Sequence, residues 1–411
     1  MAAAVGRSTF QLWIERARLT PAGASVLGLV VGDWLVARSL GAKALYLLAY
    51  AGLLVVLLAW LSGRRAIQLS VDRSELPPRV RAGQQVAVAL DVVARRRVST
   101  VVVHEDLPAG LGTSVSVPVA SLAKGETLRR EYSFVPPVRG VYQIGPARAS
   151  WSDPFGLTAH DQQLSEPDEV LVHPVTEPVR DRVLTRMWED PPVRPPVSKP
   201  WPVGFEFYGM REYLPGDDPR NIIWSAYART GTLMVRESEQ GITDRVVLLL
   251  DSGRDAHAPG VPSPTFETAV SAVASAGVQH LHDGFAVTLL TCSGTVVSGL
   301  RGARSQLSLL DELARVERDD RSLLDAHTGL LDLAKQRPHV LVVTTTLPPQ
   351  TATLLRLLHD RGLSIVVVHV MHDEGDPTTG AMAASIGAGV VQLPVGASLA
   401  AAFTGLVGAR R

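Results

Sequence analysis

The sequence predicts a membrane-anchored multidomain chain: a transmembrane helical hairpin, then a β-sandwich, then an α/β domain with a parallel sheet. Three patterns carry this. An uncharged apolar stretch runs from Ala44 to Leu61. Short alternating runs fill the segment from Ala66 to Pro178. From Asp244 onward, continuous apolar runs alternate with helical periods. The expected divisions are 1–65 for the hairpin and its leader, 66–178 for the sandwich, 179–243 for a linker and a charged motif, and 244–411 for the α/β domain.

Ala44 to Leu61 is long enough to cross roughly 30 Å of hydrocarbon. Pro21 to Leu40 is a second candidate span, interrupted by Asp33 and Arg38, and the short gap between them makes a hairpin. Two apolar blocks without a clear cleavage site fit a signal peptide poorly. Asp33 beside Trp34 reads as a residue near the far interface, since a proton path needs more ionisable groups. Arg7, Arg16 and Arg18 precede the first span and Arg64 and Arg65 follow the second, against Arg38 and Lys43 at the turn. That bias predicts both ends inside, making a multi-pass cell-membrane protein whose soluble domains face the cytoplasm.

Hydrophobic residues make up 46% of the 411 residues and the net charge is zero. Cores are therefore affordable, and nothing in the balance points to nucleic acid. One cysteine, Cys292, excludes an internal disulfide and a zinc cage, and reads as a small buried apolar residue.

The runs IQLSVDR, QVAVALDVVA, STVVVHEDL, TLRREYSFVP, GVYQIGPARASW and EVLVHP alternate with period two between Gly and Pro breaks, as antiparallel strands do. Arg95-Arg96-Arg97 reads as a solvated turn. Arg139 to Tyr142 and Asp153-Pro154-Phe155-Gly156-Leu157 read as corners closed by an aromatic plug.

A proline-rich linker, Glu189 to Pro202, precedes a charged and aromatic motif. Its chargeable residues include Glu206, Arg211, Glu212, Asp217, Asp218, Arg220, Arg229 and Arg236, mixed with Tyr213, Trp224 and Tyr227. Asp218 and Pro219 suit a helix start, so a helix is expected from Pro219 to Arg229 and a strand from Leu233. Opposite charges among rings suggest a partly buried ion-pair network serving as structure or interface. The competing reading is a hydrolase using these carboxylates as acid and base.

The stretch Gly204, Glu206, Phe207, Arg211, Glu212, Tyr213, Pro215 to Asp218, Arg220, Ile223, Trp224, Ala228, Arg229 and Val235 to Glu237 resembles the DUF58 signature. The corner at Asp153 and the apolar hairpin also resemble that family. The resemblance implies a C-terminal von Willebrand A-like domain, partnership with a MoxR-type AAA+ ATPase, and a role in assembling or activating other proteins.

In the α/β segment, strands are expected at Val246 to Leu250, Phe285 to Cys292, Val340 to Thr345, Ser364 to His369 and Val390 to Leu393. Helices are expected at Phe266 to Leu281, Gln306 to Val316, Leu323 to Lys335, Leu354 to His359 and Leu399 to Val407. Fully apolar strands alternating with helices give a parallel, Rossmann-type sheet covered on both faces. Such sheets bind ligands at the carboxyl ends of their strands, where Asp251 lies. In the resembled fold that position opens an Asp-x-Ser-x-Ser metal site. Here Gly253 and Asp255 take the serine positions, and Thr344 to Leu347 stand where a later aspartate is expected. Asp251, Asp255 and Thr344 thus form a degenerate site for which Mg or Mn is the candidate cation, with Arg254 able to neutralise the carboxylates instead. His280, His282, His369, His372 and Asp373 read as ordinary surface residues.

The function expected is a non-enzymatic adaptor or scaffold that sits in the bilayer and binds a protein partner. The rivals are the hydrolase and a surface adhesion protein of opposite topology.

Overall fold

The computed structural model describes residues 18–63, 67–179, 207–214, 222–238, 245–372 and 377–402; for 207–209, 211, 236–238 and 377 it describes the backbone alone. The chain divides into two units, Met1–His173 and Pro174–Arg411.

The first unit opens with two helices, α1 (Pro21–Leu40) and α2 (Lys43–Gly63). Thr20 caps α1 through a 3.0 Å bond from Gly23 N, and Gly41 in the left-handed region (φ 65°) ends it. Both helices are long and apolar enough to cross a membrane. Small residues bring them together: Ala37, Ala49 and Ala59 are buried, and a Cβ on Gly52 would lie 2.5 Å from Val30 Cγ2. Leu29, Leu47, Leu54 and Tyr50 point outward and are exposed.

Ten strands follow: β1 (Leu69–Ser74), β2 (Arg79–Arg81), β3 (Val86–Ala94), β4 (Val98–Glu105), β5 (Val115–Leu122), β6 (Thr127–Phe134), β7 (Gly140–Ile144), β8 (Ala147–Ser152), β9 (Ala159–Gln163) and β10 (Asp168–His173). They form three sheets, ordered β1-β3-β6, β2-β10-β7 and β5-β4-β8-β9. One apolar cluster joins Leu69, Leu90 and Val92 of the first sheet to Val101, Val103, Val117 and Ala149 of the third. A second joins Val88 and Phe134 to Ile144, Val170 and Val172. The expected run GVYQIGPARASW is two strands, because Gly145 takes φ 97° and Pro146 has no N–H to give a ladder. Arg95 to Arg97 lie exposed, as a solvated turn does.

Between these two clusters lies a buried charged group. Arg73, 3% exposed, donates from Nε to Glu105 Oε1 at 2.7 Å and from Nη1 to Asp168 Oδ2 at 2.8 Å. Its Nη2 donates to Ser165 Oγ at 2.9 Å. Glu105 is fully buried, and burial, outweighing the pull of Arg73, holds its carboxyl above the usual value.

Both ends of the helix pair are fastened to the Asp153 corner. Thr20 donates its hydroxyl to Gly156 O at 2.7 Å and its N–H to Leu157 O at 2.9 Å. Ala159 N donates to Arg18 O at 2.8 Å. Trp151 Nε1 donates to Gly63 O at 3.2 Å, and its ring stacks on His160. The corner is organised by Asp153, which accepts from Phe155 N, Thr158 N and Thr158 Oγ1. Phe155 is not the expected plug. It is 58% exposed, while Leu157 is buried in its place, because Gly156 (φ 68°) turns the chain between them.

A Cβ on Gly23 would lie 2.1 Å from the backbone carbonyl of Leu157, whereas one on Gly28 meets nothing within 4 Å. Gly28→Ala should therefore be neutral or stabilising, alanine being the better helix former. Gly23→Ala should destabilise by about 1–3 kcal/mol, the usual cost of overpacking. Thermal unfolding of the two variants in detergent checks this, and equal melting temperatures would refute the docking of α1 on the corner.

In the second unit, Glu177, expected at the end of the sandwich segment, and Val179, expected in the linker, both pack against the α/β region that was expected from residue 244. Glu177 N donates to Ser275 Oγ at 3.0 Å, Glu177 Oε2 accepts from Ser398 Oγ at 2.6 Å, and Val179 joins the main core. A hairpin of β11 (Phe207–Glu212) and β12 (Met234–Ser238) carries α3 (Trp224–Thr230). Of the helix expected from Pro219 to Arg229, Pro219 to Asn221 lie outside the described residues, and Ile222 and Ile223 are not helical. Ile222 bridges to Val235 and Ile223 has φ −88°, ψ 90°, so helical geometry starts at Trp224.

The large sheet comprises β13 (Arg245–Leu250), β14 (Ala286–Thr291), β15 (Gly294–Leu300), β16 (His339–Thr344), β17 (Ile365–Met371) and β18 (Gly389–Pro394), ordered β15-β14-β13-β16-β17-β18. All neighbours are parallel except β14 and β15. Helices α4 (Pro264–His282), α5 (Ser305–Arg315), α6 (His327–Ala334), α7 (Pro349–Asp360) and α8 (Pro377–Ser385) connect them. Separate apolar clusters lie on the two faces, as the unbroken apolar strands require. The expected helix Leu323 to Lys335 is a short 3₁₀ turn, Leu323–Ala326, followed by α6. The part of the last expected helix beyond residue 402 lies outside the described residues.

Candidate functional site at the carboxyl end of the parallel sheet

Numbered within this sheet, the strand order is 3-2-1-4-5-6. The chain reverses its direction of travel between β13 and β16, which is where open α/β sheets form a ligand crevice. Asp251 follows β13 and Thr344 ends β16, so the switch point brings these two predicted residues together. Thr344 Oγ1 donates to Asp251 Oδ2 at 2.7 Å, and both residues are buried. Asp251 Oδ1 accepts from Gly253 N at 3.1 Å and from Cys292 Sγ at 3.3 Å. Burial, with the neighbouring Asp251 charge, pushes the Cys292 thiol up to about 12, so it stays protonated and donates.

The loop after Asp251 is stitched down on its other side. Ser252 Oγ donates to Asp319 Oδ2 at 3.1 Å and accepts from Cys292 N at 3.1 Å. Asp319 N donates to Ser252 O at 2.9 Å, and Arg254 N donates to Asp319 O at 2.7 Å. His257 Nε2 faces the Asp251 carbonyl at 2.7 Å; a carbonyl only accepts, so Nε2 carries the proton. Burial lowers the His257 pKa, which keeps the ring neutral and leaves Nδ1 to accept from Thr265 Oγ1 at 3.2 Å. Gly253 is required by space: a Cβ there would meet Arg321 O at 2.7 Å.

Asp255 is not part of this group. It sits exposed on a 3₁₀ turn, Arg254–Ala256, and Arg254 pairs with Asp320 at 2.9 Å at the surface. Asp251 is instead ringed by an N–H, an O–H and an S–H. That set suits a carboxylate, whereas a hard cation wants oxygen lone pairs. Among the described residues no group of three or more His, Cys, Asp or Glu is placed to hold a metal ion. The donor set therefore fits a lone carboxylate better than the expected Mg or Mn.

The charged motif is only partly described. Glu206, Asp217, Asp218 and Arg220 lie outside the described residues. Arg211 pairs with Val235, and Arg236 with Met210, in the backbone register of the hairpin. Of the side chains described, Glu212, Trp224, Tyr227 and Arg229 are exposed and Tyr213 is half-buried; those of Glu206, Arg211, Asp217, Asp218, Arg220 and Arg236, on which the expected partly buried network depends, lie outside the described ones. Trp224 and Tyr227 meet edge to face at 6.5 Å with both rings open to solvent, and Glu212 is exposed. Arg229, also exposed, donates from Nε to Ser225 O at 3.2 Å.

Other residues correct the sequence reading too. His280 is fully buried at the end of α4 against Phe285, and burial lowers its pKa to about 4. His369 is buried within β17, and Asp373 lies outside the described residues. Cys292, Asp319 and His257 were missed as members of the Asp251 group. The available signal was positional: Cys292 follows the strand next to β13, and Asp319 opens an Asp-Asp-Arg run between two helices.

Residues 209–385 match the family model described as "Protein of unknown function DUF58". The DUF58 stretch runs from β11 to α8 and so contains both the hairpin and the Asp251 group. No curated protein matches the chain. Among solved structures, the CARDB domain of PF1109 from Pyrococcus furiosus is 19% identical, covers 26% of this chain and 94% of its own, and has a TM-score of 0.19. The C-terminal domain of wzt is 16% identical, with 26% and 72% covered and a TM-score of 0.20. A β-glucosidase from Listeria innocua is 12% identical, with 24% and 16% covered and a TM-score of 0.14. At these scores none of the three bears on fold or function.

Proposed function

We propose that the chain is a membrane-anchored, non-enzymatic adaptor whose α/β domain is von Willebrand A-like and docks a protein partner at the carboxyl end of its sheet. The partner is a MoxR-type AAA+ ATPase, and the pair assembles or activates other proteins. The soluble domains face the cytoplasm, on the strength of the basic residues around the hairpin. The 3-2-1-4-5-6 order with an antiparallel edge strand supports the domain assignment.

The observation that carries the reading is the state of Asp251. Its two oxygens are taken by Gly253, Cys292 and Thr344, so the carboxylate holds three loops in one arrangement and shapes the crevice rim. A rim organised beforehand costs less to bind, which is what a docking surface needs. Because own-chain donors do this, docking should not depend on a divalent cation.

The test is a pull-down of the AAA+ ATPase with the full chain in detergent and ATP. Capture should persist in chelator and fall at least tenfold with Asp251→Ala. Loss of capture in chelator, restored by magnesium, would reinstate a metal-bridged contact and overturn this reading.

A further inference from the structure

The helix pair leaves no slack between its ends and the Asp153 corner. The N-cap of α1, Thr20, is bonded to Gly156 and Leu157, and the last residue of α2, Gly63, is bonded to Trp151. The helices have 20 and 21 residues. At ~1.5 Å per residue each is about 30 Å long, which matches the ~30 Å hydrocarbon layer. If the pair crosses the bilayer, no residues remain to lift the corner off the surface, and the corner lies at headgroup level.

The tip of that corner is built to present an aromatic ring. Asp153 Oδ1 accepts from Phe155 N at 2.8 Å, and Asp153 O accepts from Gly156 N at 3.0 Å, so the turn is fixed while the ring is 58% exposed. Phenylalanine on such a rim is favoured at the boundary between headgroups and acyl chains. Arg18, whose Nη1 lies 3.3 Å from His160 Nδ1, stands on the same rim, with a charge suited to a lipid phosphate.

We infer that the Asp153–Leu157 corner is a phospholipid-contact site, with Phe155 inserted among the headgroups of the bilayer that holds the hairpin. The inference rests on the reading of the hairpin as a membrane anchor, and the experiment separates the two. Spin labels are attached to Phe155→Cys, Leu54→Cys and Ala109→Cys in the full chain, reconstituted in nanodiscs of phosphatidylethanolamine and phosphatidylglycerol. Cys292 is fully buried and takes no label. Leu54 is an outward residue midway along α2, and Ala109 lies beyond the end of β4 remote from the corner. Power saturation compares relaxation by oxygen, which partitions into lipid, with relaxation by an aqueous nickel chelate. The expected result is oxygen-dominated relaxation at positions 54 and 155, shallower at 155, and nickel-dominated relaxation at 109. Nickel-dominated relaxation at 155 with oxygen-dominated relaxation at 54 would overturn the lipid contact and leave the anchor standing. Nickel-dominated relaxation at both would overturn both.

Discussion

Arg73→Ala is expected to lower the stability of the first unit by about 3–5 kcal/mol, the cost of stripping one partner from a buried ion pair. Glu105 would be left fully buried without its guanidinium, and Asp168 and Ser165 would lose the same donor. Glu105→Gln should cost less, because Arg73 keeps Asp168 at 2.8 Å. The two variants also differ in their dependence on pH. Burial holds the Glu105 carboxyl above its ordinary value, so the folded chain binds that proton more tightly than the unfolded chain. Its contribution is greatest below the ordinary carboxylate value and is lost as pH rises through the raised one. Glu105→Gln should remove that slope. Thermal unfolding of the full chain in detergent across the acid range measures both effects. If Glu105→Gln proved the more damaging, the assignment of Arg73 as the shared centre would be wrong.

The second large effect is expected at Asp251. Asp251→Ala leaves Gly253 N and Cys292 Sγ buried without that acceptor, while Thr344 Oγ1 keeps the Thr346 carbonyl at 2.6 Å. Each hydrogen bond to a charged group contributes about 1.5–3 kcal/mol, and two donors lose theirs outright, so a loss of roughly 3 kcal/mol is expected. Asp255→Ala, on the exposed turn, should stay within about 0.5 kcal/mol. Chemical denaturation monitored in the second unit of the full chain distinguishes them. Equal losses would mean that Asp255 belongs to the group after all. A stable Asp251→Ala protein that no longer captures the ATPase would make the carboxylate a direct contact, not an organiser of the rim.

What was legible in the sequence follows the physics of each element. The two long apolar helices read clearly from their length and lack of charge, and so did the inner strands of the large sheet, since a strand buried on both faces needs an unbroken apolar run. The edge strand β15 did not, because Gly294 and Gly299 interrupt it and its residues are half exposed. β5 was hidden by Pro118 and β9 by its polar composition. Asp251 and Thr344 were legible as strand-end residues, but their direct bond depends on the order of strands, which no local pattern encodes. Cys292 was read correctly as buried, yet its two polar partners come from a neighbouring strand's loop. Phe155 shows the reverse failure: an aromatic in a turn suggested a plug, and only the positive φ of Gly156 decides that Leu157 goes inward instead.

The fastening of both helix ends to one corner has a mechanical consequence. A domain tethered through a single strand of chain can swivel, and a tug on it is absorbed by the tether. Here Thr20 grips the Asp153 corner and Gly63 grips Trp151 on β8, the strand that runs into that corner, so a turn of these strands carries the helix pair with it. A force applied to the strands arrives at the helices as shear along their shared seam of alanines and Gly52. An ATP-driven partner pulling on this chain would therefore strain that seam before it could stretch any connection between the helices and the sheets.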